Sequence, residues 1–196
     1  MARLSEVAPG AAFAVGLLCG YRGLLPGAEG LVGPALYLVL FLVGMELGSA
    51  EGLARRAGRT GILGVIMGLA VIAAGAAGGL LAGAIGGLSP RLSAASGAAS
   101  GWYSLAGPLV SEADPYMGLL AALSNMLRES LTLALYPALS RLDRLAAVSI
   151  GGATTMDSTL PVIAGSGGPE AVGAALGQGI LITMVLPVLL PLIIGA

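Results

Sequence analysis

Three charged side chains stand in surroundings that are almost wholly apolar: Arg128 and Glu129, adjacent in the run LLAALSNMLRESLTLALYP, and Asp157 in GGATTMDSTLP. Two carboxylates and one guanidinium leave one net negative charge. A charge of that kind at mid-membrane depth costs roughly 2.5–3.5 kcal/mol on insertion scales, so it normally faces a cavity or a partner and serves function. An uncompensated acid there asks for a cation, either a proton or a cationic substrate. Asn125, Arg128, Glu129, Thr132 and Tyr136 recur at helical spacing and form one polar stripe. The plainer alternative is an internal ion pair of Arg128 with Glu129 or Asp157 that only fixes packing.

Other polar residues collect near these three. Thr155 and Ser158 flank Asp157, and Ser104 follows the aromatic pair Trp102-Tyr103. Aromatic residues in membrane proteins commonly mark the interfacial belt. The competing reading is that Trp102 and Tyr103 line a cavity beside Ser104, where a cationic or aliphatic chain packs on a ring. Glu46 and Glu112 are weaker candidates. Glu46 lies close enough to the end of an apolar run to snorkel to the interface, and Glu112 belongs to an acidic stretch with Asp114.

The elements that must position these groups are membrane helices. Only 10% of the 196 residues are charged and 57% are apolar, with a mean hydropathy of +0.96. A soluble domain carries roughly 25% charged residues, so this surface must face lipid. The chain has no histidine and a single cysteine, Cys19. A His-ligated metal, a Ser-His-Asp triad and an internal disulfide are thereby excluded, and no cofactor is expected. No basic patch points to nucleic acid. The start of the chain lacks the features of a cleaved signal.

Five crossings are expected, over about residues 8–25, 34–49, 60–85, 115–139 and 169–194, in a single transmembrane domain spanning 1–196. In the third, Gly64, Gly68, Gly75, Gly79 and Gly83 fall on one face as a stripe for close helix packing. Residues 93–110 and 149–168 are too rich in Gly, Ser and Thr for ordinary spans, and each carries a proline near its end, Pro108 and Pro161. Irregular backbone survives at membrane depth only inside protein or beside water, which suits re-entrant hairpins. Arg55, Arg56 and Arg59, and later Arg141 and Arg144, mark cytoplasmic loops by the positive-inside rule. Both loops fall on the same side only if 93–110 dips in and returns. The second segment is read as re-entrant by analogy. The fold class is therefore all-α integral membrane, with two opposed hairpins, a cytoplasmic N-terminus and an external C-terminus in the plasma membrane. A paired Gly/Pro interruption of this kind is a pointer to a transporter site and hints at an inverted repeat.

Three strings in order, ASGWYSLAGPLVSEADP, the Arg128-Glu129 pair ahead of Tyr136-Pro137, and GGATTMDSTLPVIAGSGG, resemble the LysO-type lysine exporter family. The likeness runs over the whole chain and corresponds to the C-terminal part of full-length bacterial members, which carry a further N-terminal block of membrane segments. It implies export of L-lysine coupled to inward proton movement, with Glu129 and Asp157 on the family's acidic motifs. Glu46 departs from the family pattern, where a neutral residue is usual. Five crossings and two hairpins offer little to brace a moving core, so a homodimer, or a complex with a small membrane subunit equivalent to that N-terminal block, is expected. Two other classes are weighed beside it: a non-transporting subunit or channel that needs a partner chain, and an intramembrane aspartyl protease. Against the protease, neither Glu129 nor Asp157 lies in a GxGD-like motif.

Overall fold

The computed structural model describes residues 53–195, with side chains from residue 60 onward, and a scatter of positions before residue 53. Two compact units are distinguished, Met1–Val43 and Gly44–Ala196. Every element discussed below belongs to the second. The expected spans at 8–25 and 34–49, and Glu46, lie outside the described residues.

Among the described residues the fold is all helical, with no strand. Helix α1 runs over Leu53–Gly86. Its last turn closes when Leu88 N–H donates to Gly83 O at 2.8 Å, the six-to-one bond of a Schellman cap. Ser89 then accepts from Leu92 N–H, and Pro90 takes the first position of α2, Pro90–Ala98. A turn at Ser100-Gly101 leads into α3, Tyr103–Ser111. Asp114 Oδ1 accepts from Met117 N–H at 3.0 Å and Pro115 opens α4, Pro115–Leu139. Two 3-10 helices follow, Ala146–Ile150 and Gly152–Met156. The last helix, α5, covers Leu160–Ile194 and breaks at Gly168, whose φ of 75° and ψ of −173° fit no helix.

Helix α1 starts earlier than the charge pattern suggests. Arg55, Arg56 and Arg59 were expected in a loop over 51–59, yet the helix is continuous from Leu53. Arginine is a good helix former, and no proline intervenes. Two stretches, Thr60–Gly86 and Leu160–Ile194, are long and apolar enough to cross a membrane, each with mean hydropathy 2.2.

Packing explains the glycines. A Cβ built on Gly64 would lie 2.1 Å from Ala174 O of α5, and one on Gly68 would lie 2.9 Å from the side chain of Leu181. Further along, a Cβ on Gly75 would meet Gly97 O of α2 at 2.3 Å, and one on Gly79 would meet Ser93 O at 2.1 Å. The stripe is thus shared between two neighbours in the same chain: its first half receives α5 and its second half receives α2. The core beside α5 gathers Tyr136, Val148, Ile163, Ala171, Ala174 and Ala175. The outer faces keep large apolar side chains, among them Ile62, Ile66 and Leu81 on α1 and Leu119, Leu123 and Leu127 on α4. Such faces are stable against lipid and would be an association hazard in water.

Candidate functional site

The two interrupted segments meet backbone to backbone. Ala153 N–H, in the second 3-10 helix, donates to Ser100 O at 2.7 Å. Ser100 has φ of 51°, the one non-glycine with positive φ among the described residues. Gly152 lies so close that a Cβ there would sit 1.9 Å from Ser100 O, and its φ is +63°. Both the space and the backbone angle therefore require glycine at this meeting point.

Helix α4 braces this junction with side chains from its polar stripe. Asn125 is buried; its Oδ1 accepts from Gly101 N–H at 2.6 Å, and its Nδ2 donates to Ser96 O at 2.9 Å and Ala121 O at 2.8 Å. Sequence reasoning set Asn125 among the ligand-binding groups. Its amide is committed to backbone groups, among them the Gly101 N–H of the Ser100-Gly101 turn. Arg128 reaches the other segment: Nε donates to Ile150 O at 2.8 Å and Nη2 to Ser149 O at 3.2 Å. Among the described residues no ion pair joins Arg128 to Glu129 or Asp157, so the internal ion pair considered above is not what holds these charges. Lower on the stripe, Thr132 Oγ1 back-bonds to Arg128 O at 2.8 Å, and buried Tyr136 donates to Arg144 O at 3.1 Å, tying down the loop after α4.

The second segment folds as 3-10 turns because its own threonines compete for the carbonyls. Thr154 Oγ1 donates to Gly151 O at 3.0 Å, and Thr159 Oγ1 to Thr154 O at 3.0 Å. Thr155 Oγ1 takes Gly152 O at 2.8 Å and also Ala175 O of α5 at 2.9 Å. Gln178, fully buried on α5, was missed by the sequence analysis. Its Nε2 donates to Val148 O at 3.0 Å and Gly152 O at 3.2 Å, stapling both 3-10 helices to α5, while its Oε1 is without a partner. The signal was available: Gln178 is the chain's single glutamine, in an otherwise apolar run.

Asp157 ends the second 3-10 helix, and its carboxylate is exposed. Ser158 caps it through both its N–H and its hydroxyl, the latter at 3.1 Å. Glu129 is half-buried on α4. Tyr103 is half-buried at the start of α3. Trp102 caps α3 and is half-buried, with exposed Ser104 beside it. Glu112 is exposed at the far end of α3, where the chain turns into α4.

On another side of Arg128 a groove of about 510 Å³ opens between α1, α2 and α4. Gly75, Gly78 and Gly79 form one wall, Ser93 and Gly97 a second, and Arg128 with Ile150 a third.

Known proteins resemble this chain in sequence. The profile of the lysine exporter LysO family matches residues 11–194. The lysine exporter LysO of Escherichia coli (strain K12) is 40% identical over 91 residues, which is 46% of this chain and 30% of that protein. A putative lysine exporter of Haemophilus influenzae is 38% identical over 91 residues, 46% of this chain and 47% of that protein. The matched stretch therefore spans less than half the length of either relative. No solved structure matches. The family is one of membrane exporters and not of enzymes. With its profile covering nearly the whole sequence, this chain belongs to the lysine exporter LysO family.

Proposed function

We propose that the chain exports L-lysine, or a closely related cationic amino acid, from the cytoplasm in exchange for protons. The observation that carries this reading is the separation of charges around α4. Arg128 spends its guanidinium on Ser149 O and Ile150 O, and among the described residues it forms no ion pair with Glu129 or Asp157. Acids without a fixed counter-charge at membrane depth suit a site that alternates between protons and an ammonium group. Lysine carries two ammonium groups and one carboxylate, so acids and a guanidinium together match its net charge of +1. Proton coupling follows if one acid holds either a proton or the substrate and never both. The family membership and the names of the two relatives support the same substrate.

In this reading the segment α2–turn–α3 and the 3-10 segment with the start of α5 are opposed re-entrant hairpins, related as an inverted repeat. Five crossings put the N-terminus in the cytoplasm and the C-terminus outside, in the plasma membrane. Alternating access needs one rigid unit to move against another, and the working form is a homodimer or a complex with a small membrane subunit. Uptake of labelled lysine into inverted proteoliposomes holding this chain, with and without a proton gradient, tests it. Gradient-driven accumulation is expected, and its absence in chain reconstituted both alone and with a candidate partner subunit would reject the reading.

A further inference from the structure

The groove between α1, α2 and α4 is separate from the acids. Glu129, Asp157 and Tyr103 do not line it, whereas Arg128 does. Arg128 has committed Nε and one Nη2 hydrogen to carbonyls. Guanidinium carries five N–H donors in a planar fork, so Nη1 remains uncommitted among the described residues. Ser93 lines the same groove, is 4% exposed, and its Oγ is without a hydrogen-bond partner. The remaining lining is glycine, alanine, leucine, isoleucine and methionine, with Ser96, Ser124 and Asn125, whose donors are already spent on Leu92 O, Ala121 O and Ser96 O. A groove that offers a guanidinium and a free hydroxyl within an apolar trough is complementary to an anionic head on an aliphatic chain.

We infer that this groove binds the substrate amino acid by its α-carboxylate, held by Arg128 and Ser93, with the aliphatic side chain lying along the glycine wall of α1. The inference rests on the exporter reading and deepens it, because it gives the carboxylate its own site, apart from Glu129 and Asp157. Charge complementarity selects this occupant over a bare acyl chain, which would leave the Arg128 donors and the Ser93 hydroxyl unused. Binding would also have a mechanical effect. A carboxylate arriving at Arg128 competes with Ser149 O and Ile150 O, and so loosens the segment that leads to Asp157.

Binding of labelled lysine to the purified full chain in detergent tests this, with the diamine cadaverine, which lacks the carboxylate, and the fatty acid oleate as competitors. Gly78 has no heavy atom within 4 Å of a built Cβ, so Gly78→Leu fills the groove without disturbing the fold. That variant should keep its melting temperature and weaken lysine binding by about tenfold or more. Cadaverine should compete roughly tenfold to a hundredfold less well than lysine, and Arg128→Gln should erase that preference. Parent-like lysine binding by Gly78→Leu, or equal competition by cadaverine, overturns this inference alone. So does a Gly78→Leu variant that loses only oleate, since the groove would then be an acyl-chain site. Failure of the parent to bind lysine at all overturns the exporter reading with it.

Discussion

Ala153 N–H donates to Ser100 O at 2.7 Å, and this one bond joins the turn between α2 and α3 to the start of the second 3-10 helix. Asn125 fastens one side of the junction and Arg128 the other, both from α4. The polar face of that helix is therefore a brace first, and only Glu129 is left with its charge uncommitted to the junction.

Glu129→Gln and Asp157→Asn should each abolish lysine export while leaving expression and detergent melting temperature close to the parent. Both side chains are half-buried or exposed, and neither holds a backbone group of another element. Transport assays paired with thermal melts check this, and parent-rate export by either variant would move that residue out of the site.

Arg128→Ala should behave differently and cost stability as well as transport. It strips the donors from Ser149 O and Ile150 O, in a partly buried position. Each buried carbonyl left without a partner costs about 1–3 kcal/mol. A fall in melting temperature, partly restored in Arg128→Lys, is the expected result.

Gly152→Ala should break the meeting of the two segments, because the new methyl would fall on Ser100 O and the residue would be held at φ of +63°. Gly165→Ala, which meets nothing within 4 Å, is the matched control and should be silent. Within the glycine stripe, Gly79→Leu should destabilise by roughly 1–3 kcal/mol or more through overpacking against Ser93. Melting curves of the three variants separate these outcomes.

A cysteine at position 56, in a Cys19→Ser background, should react with impermeant reagent only from the cytoplasmic side, and one at position 112 only from outside. The arginines at 55, 56 and 59 motivate the orientation. Labelling of position 56 from outside in intact cells would invert the proposed topology.

Much of the helix layout was legible because its punctuation is local. Asp114-Pro115 is a cap followed by a first-turn proline, and a helix does run over Pro115–Leu139. The Gly, Ser and Thr content of 93–110 and 149–168 announced broken helices, and both segments are built of short pieces. The start of α1 was misread because three arginines look like a loop, although nothing in them stops a helix. The site was less legible. Spacing put Asn125, Arg128, Glu129, Thr132 and Tyr136 on one stripe, but apart from Glu129 their partners are backbone groups, most of them outside α4. Which carbonyl Arg128 meets depends on how the 149–156 chain coils, and no side-chain pattern encodes that. Gln178 was overlooked because one amide hardly alters the hydropathy of so apolar a helix.

The break at Gly168 divides α5 into a short arm that begins just after Asp157 and a long rod that packs on α1. The φ and ψ there belong to a region that essentially only glycine visits, and Pro169 follows at once. The joint works as an elbow: the short arm and the rod take separate directions, so the arm leaves the 3-10 turns while the rod, holding those turns through Ala175 O and Gln178, stays seated on α1. Were α5 one straight helix, its approach to the 3-10 turns and its seat on the glycines of α1 would have to share a single axis.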